Sequence, residues 1–330
     1  MARVFPGEGY GLSSPVVLGI DFGGTKTAVA VCEADGAMLG SASVPVGSAR
    51  DAHANVASAV EAGRALLERI APGRSLASIG VSTFGIPGPH GVALAPAVPG
   101  WADLALAREI GAAFNGVPVK AATDVKAAAQ VEAERGALAG CDPAIYLNLG
   151  TGLAVALVVG GRVVAGRHGA SGEIGYNLRH LSDVGRSLGD RVMLEDVVSG
   201  GALVAAARAA VPGLDGVDAV FTSTTERPAL GRLLDDFVAE LAFHLINLTI
   251  AVDPQRIAVG GGMVRSWDAI SPRLRAALDM AVPFPPELVP AAFPYEAPLI
   301  GALALGVEAG HERLFGTPAA SPPEEVPSPR

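Results

Sequence analysis

The sequence predicts an α/β protein built as two similar halves around a cleft. Three observations carry this. Val16 to Ile20 is an apolar strand that runs through Asp21 into Gly23-Gly24-Thr25, and the small, β-branched strand Ala28 to Val31 follows. Ala144 to Leu149 is a second apolar strand that leads into Gly150-Thr151-Gly152 and the strand Leu153 to Val159. The 330 residues, half of them apolar, leave room for two cores. One strand–turn–strand unit in each half indicates a duplicated α/β unit.

The elements follow from local pattern. Residues 1–14 suit a loose leader. Strands come next at 16–21, 27–33 and 37–46, with Ala34-Asp35-Gly36 as a turn. Val56, Val60, Leu66, Leu67 and Ile70 recur at helical spacing, and Ala71-Pro72-Gly73 stops that helix. Leu76 to Ser82 is a buried strand, Gly85 to Pro89 a rigid loop, Pro96 to Trp101 a similar loop, and 102–114 a helix. Pro118 to Asp124 is a strand ending in a carboxylate, with a helix from about Lys126 to Ala139. After the second hairpin, Gly160-Gly161 is a turn, and Gly166 to Asn177 is a polar glycine-rich loop containing Glu173. Residues 188–209 read as helical, with Glu195 inside. A Gly, Asp and Thr-rich connection at 213–227 leads to a long helix, Ala229 to Val252. Gln255 to Val259 is a strand closed by Gly260-Gly261-Gly262, and another helix lies near 266–281. A proline-rich connection at 283–298 precedes a last helix, Ile300 to Glu308, and the tail from Thr317 has a disordered composition.

Bulk properties exclude several classes. The formal charge of −9 argues against general nucleic-acid binding, which needs a basic footprint. Cys32 and Cys141 are the only cysteines, too few for a disulfide framework or an all-cysteine zinc site, and both fall in or beside apolar runs that suit buried thiols. Met1 to Ser14 lacks the apolar core of a signal peptide. Leu241 to Val252 is too short to span a bilayer, so a cytoplasmic location without membrane partners is expected.

The turn at Asp21 to Thr25 can present backbone N–H groups to an anion, and Gly23 and Gly24 can adopt positive φ. It lacks Walker A spacing, and the strand after it does not suit a dinucleotide fingerprint. Alone, it is equally a glycine turn joining two core strands or one jaw of a phosphate clamp.

Taken together, Asp21-Phe22-Gly23-Gly24-Thr25, Thr123-Asp124, Leu149-Gly150-Thr151-Gly152, Gly172-Glu173-Ile174-Gly175, and Asp253-Pro254 with Gly260 to Gly262 resemble the ROK family of sugar kinases, from about residue 16 to 310. The family lies within the actin/hexokinase-like ATPase superfamily. The resemblance implies two ribonuclease H-like domains of the actin/hexokinase type flanking an active-site cleft. The implied boundaries are a leader at 1–14, ATPase domains at 15–122 and 123–298, a C-terminal helix at 299–314 returning to the first domain, and a disordered tail at 315–330. It also implies that Asp21, Gly23, Gly24, Thr25 and Lys26 form the first phosphate hairpin, with Asp21 holding Mg²⁺ through water. Gly150, Thr151 and Gly152 would form the second hairpin, and Gly260, Gly261 and Gly262 would contact adenosine. Asp124 falls at the catalytic base. Gly85, Pro99, Gly100, Thr123, Asp124, Glu173, Tyr176 and Glu195 fall on the sugar side.

Each role has a plainer alternative. Asp124, read first as the base, would otherwise be the N-cap of a helix beginning near Val125, and Glu195 equally suits a solvated helix face. The departures from the family fall on the sugar side. Many relatives have Asn-Asp-Ala-Asn where this chain has Thr123-Asp124-Val125-Lys126, and Asn-Leu-Pro-Gly-Trp where it has Ala97-Val98-Pro99-Gly100-Trp101. Tyr176 replaces a histidine, and Val184 to Arg191 stands where the family has a zinc-binding cysteine cluster, so no zinc site is expected. Lys126 is expected to be an exposed residue of a helix's first turn; contact with an anionic group is the other reading.

The resemblance therefore implies an ATP-dependent kinase using ATP and Mg²⁺. Its substrate would be a hexose or an amino or otherwise modified hexose, with the 6-hydroxyl as favoured acceptor and a homodimer as the common assembly. The alternative is a non-catalytic sugar- or nucleotide-binding or regulatory protein without a DNA-binding domain.

Overall fold

The computed structural model describes residues 14–46, 51–95, 98–214, 220–221 and 227–315. The expectations for the leader before residue 14, for Ala97 and for the tail beyond residue 315 fall outside the described residues.

The first sheet contains β1 (Val16–Phe22), β2 (Lys26–Glu33), β3 (Met38–Pro45), β4 (Leu76–Thr83) and β7 (Val119–Thr123). The short strands β5 (Ile86–Pro87) and β6 (Val92–Ala93) form a separate pair. The second sheet contains β8 (Ala144–Leu149), β9 (Leu153–Val159), β10 (Arg162–Val163), β11 (Arg256–Gly260) and β12 (Glu287–Pro290). The orders are β3-β2-β1-β4-β7 and β10-β9-β8-β11-β12. In both, the central strand pairs antiparallel with the strand after it and parallel with the strand on its other side. The repeat expected from the two hairpins is therefore a repeat of whole sheets.

Helices cover both faces of each sheet, which explains why β1 and β8 are almost unbroken apolar runs. The helices α1 (Ala52–Ile70) and α2 (Leu106–Ala113) close one core with Leu18, Ile20, Val29 and Val81. The helices α4 (Gly200–Ala210), α5 (Pro228–Val252) and α6 (Trp267–Ala281) close the outer face of the second sheet over Ile145, Leu147 and Ile257. Between the sheets lie α3 (Asp124–Arg135) and α7 (Ala297–Phe315). Glycine permits this tight centre. A Cβ on Gly80 would lie 1.7 Å from the Ala302 carbonyl oxygen, and one on Gly301 would lie 2.2 Å from that of Ala127. Lys120 on β7 binds α7 through Glu308 and Glu312, at 2.7 and 3.0 Å.

Several elements differ from the sequence expectation. The helix expected at 188–209 begins only at Gly200, where the Ser199 hydroxyl caps it by accepting from Ala202 N–H at 3.1 Å. The preceding segment is held by other contacts, among them Glu195 N–H to the Gly175 carbonyl at 3.2 Å. The proline-rich connection at 283–298 contains β12, an edge strand that tolerates Pro290. The last helix runs from Ala297 to Phe315, beyond the expected limits, because nothing in that sequence breaks it.

Candidate functional site

Parallel pairing aligns the C-terminal ends of β1, β4 and β7, with Asp21 opposite Ser82 and Thr83 opposite Thr123. Ser82 Oγ donates to Asp21 Oδ1 at 2.8 Å. Burial pushes the Asp21 carboxyl up to about 6, although the Ser82 hydrogen bond and the Lys26 charge oppose the shift. At the next strand end, Thr123 caps α3, its hydroxyl accepting from Lys126 N–H at 3.2 Å. Asp124 is therefore the first residue of the helix rather than its cap. Its carboxylate accepts from its neighbour's N–H, Val125, at 2.9 Å. Burial, with the negative charges of Asp21 and Glu173 adding to it, raises Asp124 to about 7. Such a carboxyl is poised to exchange a proton near neutrality.

Lys126 overturns its expectation. Its side chain is only 8% exposed, and Nζ lies 3.8 Å from Glu173 Oε1. Burial holds its pKa below the ordinary lysine value. The same burial raises the Glu173 carboxyl, against the pull of Lys126, and raises the Tyr176 phenol. A lysine in a first turn normally reaches solvent. Here it is enclosed, with Ala127, Ala128 and Ala129 buried beside it on α3 and Glu173 of the glycine-rich loop facing its Nζ. That alanine run was a sequence signal for burial.

Glu195 lies in a turn, not on a helix face. It connects the carboxylate cluster with the second hairpin, because Glu195 Oε2 accepts from Leu153 N–H at 2.7 Å. A Cβ on Gly152 would meet that oxygen at 2.6 Å. The start of α4 bears on the same hairpin: Gly200 N–H donates to the Gly150 carbonyl at 2.7 Å. Helix N-termini favour anions, so this arrangement suits phosphate. Gly260 ends β11, next to β8, and the glycines that follow place Gly261 against Gly150. Gly261 has φ +87°, and a Cβ on Gly260 would collide with the Tyr146 hydroxyl at 2.0 Å.

In the first hairpin, neither Gly23 nor Gly24 uses positive φ. Gly23 is required by proximity instead: its N–H donates to the Lys26 carbonyl at 3.1 Å, and a Cβ would lie 2.9 Å from that oxygen. Gly24, Thr25 and Lys26 are exposed, as is Thr151. Gly85 has φ +74° and precedes β5, where Ile86 meets Gly169 of the glycine-rich loop. Pro99 and Gly100 stand instead at the start of α1, with Ala52 N–H donating to the Pro99 carbonyl at 3.2 Å.

Where the family's cysteines would lie, polar contacts hold the chain. Asp183 accepts from the N–H groups of Arg179 and His180 at 3.2 and 3.0 Å, and Arg179 pairs with Glu240. Arg191 donates to the carbonyls of Tyr176 and Asn177 at 2.8 and 3.2 Å, which fixes the Tyr176 backbone. Among the described residues no three His, Cys, Asp or Glu side chains group to hold a metal. Nor is any helix among them long and apolar enough to cross a membrane. Ser82 is a candidate site residue that sequence reasoning missed; the strand register and its bond to Asp21 reveal it.

Comparison with known proteins covers nearly the whole chain. The family model described as the ROK family matches residues 17–309. A kanosamine kinase of Amycolatopsis mediterranei is 30% identical over 305 residues, covering 89% of this chain and 97% of that protein. A ROK hexokinase structure from Thermus thermophilus has a TM-score of 0.72 at 29% identity, covering 88% of this chain and 97% of the other. A ROK family glucokinase from Streptomyces griseus, solved with glucose and AMPPNP, has a TM-score of 0.71 at 25% identity, covering 89% and 99%.

Proposed function

Since the chain belongs to the ROK family, we propose that it is an ATP-dependent sugar kinase. It transfers the γ-phosphoryl group to a hydroxyl of a hexose or of an amino or modified hexose, with the 6-hydroxyl favoured. The observation that carries this reading is Asp124: a part-buried carboxylate at a strand end, not used as a cap, with its pKa raised to about 7. Kinase relatives and the glucokinase solved with glucose and AMPPNP support it.

The chemistry asks the protein mainly for positioning and charge control. Asp124 accepts the proton of the attacking hydroxyl as the new bond forms. Glu173, Thr123 and Tyr176 orient the sugar by accepting and donating hydrogen bonds. The N–H groups of the two hairpins and the start of α4 receive the phosphates, and Gly260 to Gly262 lets the adenosine lie close to backbone. Asp21, a part-buried carboxylate already oriented by Ser82, has the donor chemistry for Mg²⁺ and would hold it. When bound, that ion neutralises phosphate charge.

The test is ADP release with Mg·ATP across hexoses, amino sugars and N-acylated sugars. Sugar-dependent release is expected from at least one, and none from any would remove the kinase reading. Acting as base, Asp124 must be ionised. kcat/KM is therefore expected to rise with pH through an acid limb near 7 and to level above it. A profile flat from about pH 5 to about pH 9 would remove Asp124 from that role. Glu195→Ala, which frees the Leu153 N–H, is expected to raise KM for Mg·ATP roughly tenfold with a smaller change in kcat. Initial-rate kinetics with varied ATP measure it.

A further inference from the structure

Lys126 is a buried cation whose surroundings do not satisfy it. Arg74 and Glu132, by contrast, find close partners. Arg74 donates to Glu33 at 2.6 and 2.9 Å. Glu132, fully buried, accepts from the N–H groups of Ala137, Ala292 and Phe293 at 2.7, 3.1 and 2.7 Å. Among the described residues Lys126 Nζ is buried with no hydrogen-bond acceptor, and Glu173 Oε1, its ion-pair partner, stands at 3.8 Å, beyond hydrogen-bond range. An ammonium carries three N–H donors, and leaving them unmade away from water is costly. The position adds to the cost, because a positive charge is disfavoured in a helix's first turn. The residue nevertheless sits two positions beyond Asp124, directed at Glu173, where the proposed acceptor sugar would lie.

We propose that Lys126 and Glu173 form a subsite that reads an acceptor oxygen on the sugar, either a hydroxyl or an acyl carbonyl. The subsite turns away the same sugar carrying an unacylated, protonated amine at that position. This rests on the sugar-kinase reading and narrows it. Glu173 alone would welcome an ammonium. Lys126 beside it cancels that attraction and brings donors that an acceptor oxygen can satisfy and a protonated amine cannot. The selected substrates are simple or N-acylated hexoses. A bound acceptor oxygen completes the hydrogen bonding of Nζ, so the buried charge becomes useful only in the complex.

The probes are glucose and mannose, with the 2-amino and 3-amino sugars of the gluco series and the 2-amino sugar of the manno series, each amine paired with its N-acetyl form. Phosphorylation kinetics are run alongside calorimetric binding in the presence of AMPPNP. In the wild-type protein the best hydroxyl or acetamido sugar is expected to exceed its amine by about tenfold or more. Lys126→Met should shrink that gap to about threefold or less, chiefly through KM and Kd. Lys126→Glu should turn the preference toward the amine. Lys126→Arg, which keeps the charge and donors, should keep the wild-type order. Thermal melts identify any variant that fails to fold, and the remaining variants then decide.

The subsite is overturned if wild type handles amine and acetamide equally. It is also overturned if Lys126→Met weakens every sugar by the same factor, which is the mark of a purely structural or charge-balancing role. If wild type turns over no sugar, the kinase reading fails, and the binding ratios alone judge the subsite; no discrimination in binding overturns it too.

Discussion

Asp124→Asn is expected to lower kcat by about 10²–10⁴-fold while nucleotide affinity stays near wild type. The amide keeps the size of the side chain and its contact with Val125 N–H, but it has no basicity to take the acceptor's proton. Nucleotide binding draws on the glycine turns and Asp21, which the substitution leaves in place. Stability should move the opposite way. The Asp124 carboxyl has an ordinary pKa of 3.8 in the unfolded chain and about 7 in the folded one. The folded chain thus holds this proton more tightly. The stability linked to it is present below the unfolded value and is lost as pH rises toward 7. Above that, a part-buried, poorly solvated anion remains. Asp124→Asn removes that anion, so its melting temperature at pH 8 should exceed that of wild type. Inactivity with a higher melting temperature separates lost chemistry from a damaged fold. Near-normal turnover would remove Asp124 as the base.

Gly80→Ala is expected to lose about 3 kcal/mol or more of stability in urea denaturation. The new methyl would sit 1.7 Å from the Ala302 carbonyl oxygen and 2.4 Å from Gly306 N, all backbone of α7. Backbone cannot swing aside as a side chain can, so α7 must lift from β4. Gly189→Ala is the control. Its Cβ meets nothing within 4 Å, and a change within about 0.5 kcal/mol is expected. Equal midpoints for the two variants would contradict the packing of α7 on the first sheet.

The two sheets were legible because their central strands are continuous apolar runs and each ends in a Gly-Thr turn, as at Gly24-Thr25 and Gly150-Thr151. Both signals lie within ten residues of chain. β12 was hidden because Pro290 looks like a loop residue unless an edge position is known. Glu195 was misplaced on a helix because helix-forming neighbours such as Met193 and Leu194 carry no sign of the Leu153 N–H that claims its carboxylate. Lys126 was misjudged for a similar reason. Local rules send a first-turn lysine to solvent, and nothing beside it in the chain marks Glu173, far onward in the glycine-rich loop, as the side chain it faces. Ser82 oriented Asp21 with no local mark at all. In the site, the glycine turns and Asp124 were readable as a resemblance, whereas the partners that set their electrostatics arise only from tertiary contacts.

The seat of α7 has a consequence for how the chain is made. Gly80 on β4 and Gly19 on β1 present one face of the first sheet to a helix encoded after the whole of the second sheet. As the polypeptide leaves the ribosome, that face stays bare until residues 297–315 arrive. The two halves therefore cannot mature as successive beads on a string. The earlier-made half waits for the later one to be synthesised, and α7 joins the birth of the protein's two lobes into one event.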